Sequence, residues 1–187
     1  HAMEAVWNRN STPLSDRMAT TAIEMLFAFL APTLASPSDV ELRRHIQIAS
    51  LIAGLAMGTT QTALAHSISY PFTAHFDMPH GFACSFTLPE IVRYNIVENS
   101  SRLAPVAAGL GCDLEAIADT LDAWFDALGV AHHVIGYVAP EVTDQFGDDL
   151  ITRARAANNM RDIEGPEACA IARRSLDRLS GAPSARD

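Results

Sequence analysis

The sequence predicts an all-α fold, one compact helical bundle spanning residues 1–187. Three observations point there. Nearly every long segment repeats its apolar residues at helical spacing. No alternating apolar–polar run of useful strand length occurs. Alanine is abundant while aromatics make up only 7% of the chain, a composition suited to closely packed helices. With 49% hydrophobic residues among 187, the chain can bury the core of one domain.

The elements follow in order. "PLSDRMATTAIEMLFAFLAPTL" offers Ser15 or Asp16 as a cap, an apolar side through Met18, Ile23, Leu26, Phe27 and Leu30, and Pro32 as its end. "SPSDVELRRHIQIASLIAGLAMG" opens with Ser38 and has Glu41 three residues on, a capping-box pattern. Past Ile46 it is apolar all round, which predicts the buried centre of the domain. Residues 61–76 read as a helix bent near Pro71, and "DMPHG" as a tight turn. A new helix begins near His80 or Gly81, with a kink or restart at Pro89. "DLEAIADTLDAWFDALG" is the clearest amphipathic helix, capped by Asp113 and closed by Gly129. His132 and His133 fall in a solvent-facing loop, shorter helices are expected at 147–157 and 166–180, and the tail 181–187 reads as disordered.

Composition narrows the function classes. A net charge of −9 disfavours partnership with nucleic acid or with an anionic membrane surface. The most apolar segment, 46–57, is too short to span a bilayer, and no signal peptide is visible. Three widely spaced cysteines, with no CxxC, suit a reduced, cytoplasmic setting. Neither a GxGxxG after a strand nor a P-loop occurs, so no nucleotide-binding half is expected here.

The chemistry is carried by histidines. His66 sits in "TALAHSIS" among small and apolar residues, where a buried imidazole needs partners for both nitrogens. His80 sits in a Pro-His-Gly turn. A helix over 66–76 rises roughly 15 Å, and four extended steps of roughly 3.3 Å recover most of that. A helical hairpin can therefore bring both rings together, as a shared metal ion requires. An HxxxH pair within one helix would be a stronger signal, and it is absent. Cys84 reads as a small buried packing residue, and Trp7 and Trp124 as core.

"ALAHSISYPFTAHFDMPHGFACSFTLPEIVRYN" resembles the C-terminal domain of iron-dependent (group III) alcohol dehydrogenases. That family carries one His in a helix and a second in a PHG turn fourteen residues later, both on a catalytic divalent metal. His66 and His80 match residue and spacing. "HAMEAVWN" is similar to the family's "DAxxHaxE", which makes His1 a third ligand and puts Glu4 at the family's Glu. On that match the family's Asp ligand falls before His1. The resemblance covers the whole chain and implies a dehydroquinate synthase-like helical C-terminal domain, with the N-terminal nucleotide-binding domain absent. "WNRNSTPLSDRMA" and "ISYPFTAHF" look most like the phosphonoacetaldehyde reductase branch. Many members have a further His four residues after the first helical ligand, where this chain has Tyr70. Tyr70 or His75 is therefore expected to move the proton, or else water to relay it.

What the resemblance implies is the metal-binding half of an NAD(P)-dependent oxidoreductase for a small aldehyde or alcohol, such as phosphonoacetaldehyde. Iron(II) and zinc would both accept these ligands. The NAD(P) would be held mainly by the N-terminal domain, and the protein is expected to be a homo-oligomer. This chain alone is expected to be inactive. The alternative is a truncated helical module for interaction or oligomerisation with a vestigial metal site. A domain of dehydroquinate synthase or glycerol dehydrogenase type is a third reading.

Overall fold

The computed structural model describes residues 1–181. Of the tail expected to be disordered, 182–187 lie outside the described residues. Those described form α1 (Ala2–Val6), α2 (Pro13–Ala35), α3 (Val40–Thr60), α4 (Leu64–Phe76), α5 (His80–Ser85), α6 (Leu88–Ile96), α7 (Ala104–Leu110), α8 (Ile117–Ala127), α9 (Val130–Ile135), α10 (Arg153–Ala156) and α11 (Gly165–Ser180), with single 3₁₀ turns between the later helices. Among them the only strand-like pairing is one isolated antiparallel bridge, Asn8 with Asn159. The all-α expectation is met.

Helix α2 starts one turn ahead of the expected cap. Thr12 accepts from the Ser15 amide while the Ser15 hydroxyl accepts from the Thr12 amide, a capping box with Pro13 at the first helical position. Pro32 does not end the helix, which continues to Ala35. It sits in the last turn, where only one more turn must form beyond it, and the Ser36 amide still bonds its carbonyl. In α3 the cap is Asp39 rather than Ser38, accepting from the amides of Glu41 and Leu42.

Helix α3 is not the buried centre. Its buried residues are Ala49, Ala53, Ala56 and Thr60, while Leu51 and Leu55 are exposed. The small side chains let its backbone lie close to α2, while Leu51 and Leu55 point away and Ile52 packs partly buried against the core. By length and composition α2 could cross a membrane, and so could α3 and α4 taken as one bent span. In this fold α2 packs against α1, α3 and α7. At one packing point Gly109 meets Ile23 so closely that an added Cβ would stand 2.8 Å from the Ile23 Cβ.

Two junctions position the site. Between α3 and α4 the chain turns by 109° at Gln61, whose φ of 69° ends α3 in the left-handed region. The Asn8 side-chain amide holds that corner by donating to the Gln61 carbonyl. Between α4 and α5 the chain reverses at Asp77, also left-handed, with Met78 buried beneath the turn. Pro79 then precedes α5, which ends before Pro89 opens α6. Of the kink or restart expected at Pro89, the structure has the restart. His132 and His133 lie on α9 rather than in a loop, still exposed, and His133 stacks on Phe82.

The core gathers Trp7, Ile68, Phe72, Phe86, Ile91, Leu121 and Ile171, all within 2% of full burial. Every residue of α1 is buried. The chain just after it is tied to the far end of the sequence: the Arg9 amide donates to the Asn158 carbonyl and the Met160 amide to Trp7. Asn95 and Asn159 exchange side-chain amide hydrogen bonds beneath that seam.

Candidate metal centre

Three segments meet at the mouth of α4. Its first turn has no capping side chain of its own, since Ala63 occupies the N-cap. The orphan amides are met instead by Glu4, from buried α1. Its carboxylate accepts from the backbone N–H of Ala63 (3.1 Å), Ala65 (2.6 Å) and His66 (3.2 Å). An acceptor with negative charge at a helix N-terminus is favourable on both counts.

The same carboxylate fixes His66. Glu4 Oε2 lies 2.5 Å from His66 Nδ1, which leaves Nε2 to face His1 and the cavity. A carboxylate that holds one ring nitrogen while the other is presented outward is the usual support of a metal-binding imidazole. Burial pushes the Glu4 carboxyl up, but the hydrogen bond and charge of His66 outweigh it, so the group sits below its ordinary value. Burial pushes His66 down, while Cys84 and Glu4 together carry it up to about 9.

His66 Nε2 is 3.1 Å from His1 Nε2, and the two rings stack with centroids 4.9 Å apart. The His80 ring meets His66 edge-on at 5.4 Å, so the α4–α5 hairpin brings the pair together as their spacing predicts. Cys84, one turn along α5 from His80, lies with Sγ 3.5 Å from His80 Nε2. Donor atoms of His66, His80 and Cys84 all fall within 4.8 Å of one another. A cavity of about 220 Å³ opens over this group, bounded by His1, Glu4, His66, His80, Cys84 and Leu88. Cys84 is half-buried at its wall, not the packing residue expected.

The donors suit a divalent ion. Two nitrogens bound at roughly 2.0–2.1 Å to one tetrahedral centre stand about 3.3 Å apart. The His1–His66 separation is close to that, and without an ion it also serves an N–H···N hydrogen bond. Tyr70 and His75 are not brought into this group. Both are exposed, neither lines the cavity, and His75 stacks loosely on Phe146.

A second, larger cavity of about 390 Å³ adjoins the first and shares His1, Ser85 and Leu88 with it. Its wall is apolar, with Ile23, Phe27, Leu30, Phe82, Trp124 and Phe125, and no Arg, Lys, Asp or Glu lines it. Arg9 pairs instead with Asp162 at 2.7 Å, and Arg17 is exposed on α2. Sequence reasoning missed the work of Glu4 and Cys84. For Cys84 the signal was present, since His80-x-x-x-Cys84 is the one-turn spacing that was sought only as HxxxH.

Comparison with known proteins places these observations. A model of the Fe-containing alcohol dehydrogenase family, C-terminal, matches residues 1–176. The chain is 28% identical over 142 residues to the 1,3-propanediol dehydrogenase of Citrobacter freundii, covering 76% of this chain and 35% of that protein. It is 37% identical over 92 residues to the phosphonoacetaldehyde reductase of Streptomyces viridochromogenes, covering 49% and 23%. The iron-containing alcohol dehydrogenase of Thermococcus thioreducens shares the fold at a TM-score of 0.81 and 23% identity, covering 94% of this chain and 47% of that one. The chain spans about a third of the length of the curated relatives it matches. With an all-helical fold and a family match from its first residue into its last helix, this chain belongs to the Fe-containing alcohol dehydrogenase family and is its C-terminal domain.

Proposed function

We propose that this domain is the metal-binding half of an NAD(P)-dependent enzyme that interconverts a small alcohol and its aldehyde. The observation that carries the reading is the meeting of His1, His66 and His80 over a carboxylate that orients His66. These three histidines would hold a divalent metal, iron(II) or zinc. When bound, the metal would supply Lewis-acid polarisation of the substrate oxygen, and NAD(P), bound mainly outside this domain, would take or give the hydride.

The chain's own residues do the rest. Glu4 keeps the His66 ring in one orientation and one tautomer. The apolar wall beside His1 excludes water from one side of the site. Proton movement falls to Tyr70, one helical turn beyond His66, or to His75, both open to solvent. Phosphonoacetaldehyde is the proposed substrate on the strength of the local likeness. The cavity walls offer no Arg or Lys for a phosphonate, which favours an uncharged aldehyde as the second reading. We place the enzyme in the cytoplasm, where three unpaired thiols stay reduced, and as a homo-oligomer, since Leu14, Leu34, Leu51 and Leu55 leave apolar surface exposed.

The test is elemental analysis of the protein loaded anaerobically with iron(II) or zinc, beside His66→Ala and His80→Ala. About one ion per chain is expected, lost in both variants. No ion in the parent protein would sink the reading. NAD(P)H oxidation by the domain joined to a nucleotide-binding half, with phosphonoacetaldehyde and with an uncharged aldehyde of similar size, then separates the two substrate readings. Tyr70→Phe and His75→Ala in that assay show which one carries the proton.

A further inference from the structure

We propose that Asn8 and Asn158 are positioning residues of the metal site, whose side-chain amides clamp a strained corner of the chain so that α4 presents His66 to the ion. The inference rests on the metal-site reading above and adds the residues that hold its backbone.

The corner between α3 and α4 is gripped residue by residue. Three successive carbonyls each accept the side-chain amide of an asparagine: Thr60 from Asn10 at 3.4 Å, Gln61 from Asn8 at 3.1 Å and Thr62 from Asn158 at 2.8 Å. The Thr60 hydroxyl also stands 3.1 Å from the Gln61 carbonyl. Directly after them, the amides of Ala63, Ala65 and His66 go to Glu4. Asn8 follows Glu4 by four residues, so one short stretch of chain holds a carbonyl entering the corner and the amides leaving it. Asn8 is itself aimed. Its Oδ1 accepts the Asn10 amide at 2.9 Å, which leaves Nδ2 to donate to Gln61. Asn158 is fixed through its backbone, whose carbonyl accepts the Arg9 amide at 2.8 Å.

That grip has strain to hold. Gln61 lies at φ 69° and ψ 177°, a combination open to glycine and costly for a residue with a Cβ. Such a conformation persists where the surrounding structure over-determines it. Gln61 is exposed, so burial of its own side chain does not supply the compensation. The clamped carbonyls do. Relaxing Gln61 would turn the first residues of α4 and pull the His66 ring off the carboxylate that orients it. Asn95 and Asn159, the other asparagine pair of this seam, bond each other and the Arg161 carbonyl rather than the corner.

The intact protein would be titrated anaerobically with cobalt(II), whose visible ligand-field bands report the geometry of the bound ion. Asn8→Ala and Asn158→Ala would be run beside it, with Asn95→Ala as the control, each under conditions where circular dichroism shows it folded. The expected result is a cobalt affinity lower by about tenfold in Asn8→Ala and Asn158→Ala, the low end for loss of a supporting partner, with shifted visible bands. Asn95→Ala should unfold at a lower temperature yet keep the parent's affinity and bands. Adding Gln61→Gly to Asn8→Ala should restore most of the affinity, because glycine takes that conformation without a clamp. Parent-like affinity and bands in folded Asn8→Ala and Asn158→Ala would overturn the proposal and leave the histidine site standing. An equal loss in Asn95→Ala would overturn it too, by tracing the effect to general loosening, and so would a loss that Gln61→Gly fails to recover. Absence of cobalt bands in the parent would overturn the metal-site reading and the clamp with it. Should Asn8→Ala fail to fold, Asn158→Ala, half-buried and bonded to a different carbonyl, decides alone.

Discussion

Glu4 is a carboxylate buried to 1% exposure that satisfies four N–H groups, three of them the orphan amides of α4. Removing it as Glu4→Ala leaves those donors and the His66 ring without a partner, and the expected cost is about 3–5 kcal/mol in urea unfolding. Glu4→Gln keeps the shape but loses the charge and should fall between. The pH dependence follows from both members of the pair. The Glu4 carboxyl is held below its ordinary 4.5, so its contribution is present above that value and fades as pH falls below it. His66 is raised from 6.5 to about 9, so its contribution is complete below 6.5 and is lost as pH rises through about 9. Metal-free protein should therefore be most stable between 4.5 and 6.5 relative to Glu4→Gln, and the difference should shrink on both sides. A difference that stays flat from acid to alkaline pH would contradict the pairing. His66 and His80 were legible because residue type and turn spacing agreed, although only His66 is buried. The role of Glu4 was not, because its partners begin 59 positions later and no local pattern encodes them.

At the scale of elements, the α2–α3 pair shows where periodicity misleads. A segment apolar all round reads as a centre, yet α3 buries its alanines and exposes Leu51 and Leu55. Close approach selects small residues at the contact, so Leu51 and Leu55 are left outside. The bounds of α2, α3, α4 and α11 were legible to within a turn, since Pro, Gly and capping residues act locally, but the one helix expected at 147–157 is a 3₁₀ turn followed by the four-residue α10. Which face meets which neighbour was not. Gly109 is the matching case on α7, where the Ile23 side chain occupies the space a methyl would need. Gly109→Ala should force α7 away from α2 and cost about 1–3 kcal/mol, although alanine is the better helix former. Thermal unfolding of Gly109→Ala against Gly54→Ala, whose added methyl meets nothing within 4 Å on α3, isolates the packing term. Equal stabilisation of both variants would show that the helices have room to spare.

At the scale of the whole molecule, the histidines that meet at the site come from residues 1, 66 and 80, far apart in the sequence. The five-residue α1 is too short to persist by itself and exists only because the rest of the core closes round it. That has a kinetic consequence. Local helices can form within microseconds, but the donor set needs the chain's start to dock against α4, a contact of long sequence separation that is slow to close. On the proposed reading, metal capture is a late event in folding, and a bound ion would fix a contact already formed. Refolding from urea with cobalt(II) present should show helical circular dichroism recovering first and the cobalt bands after it. Bands that keep pace with the helices would mean that the metal recruits the segments itself.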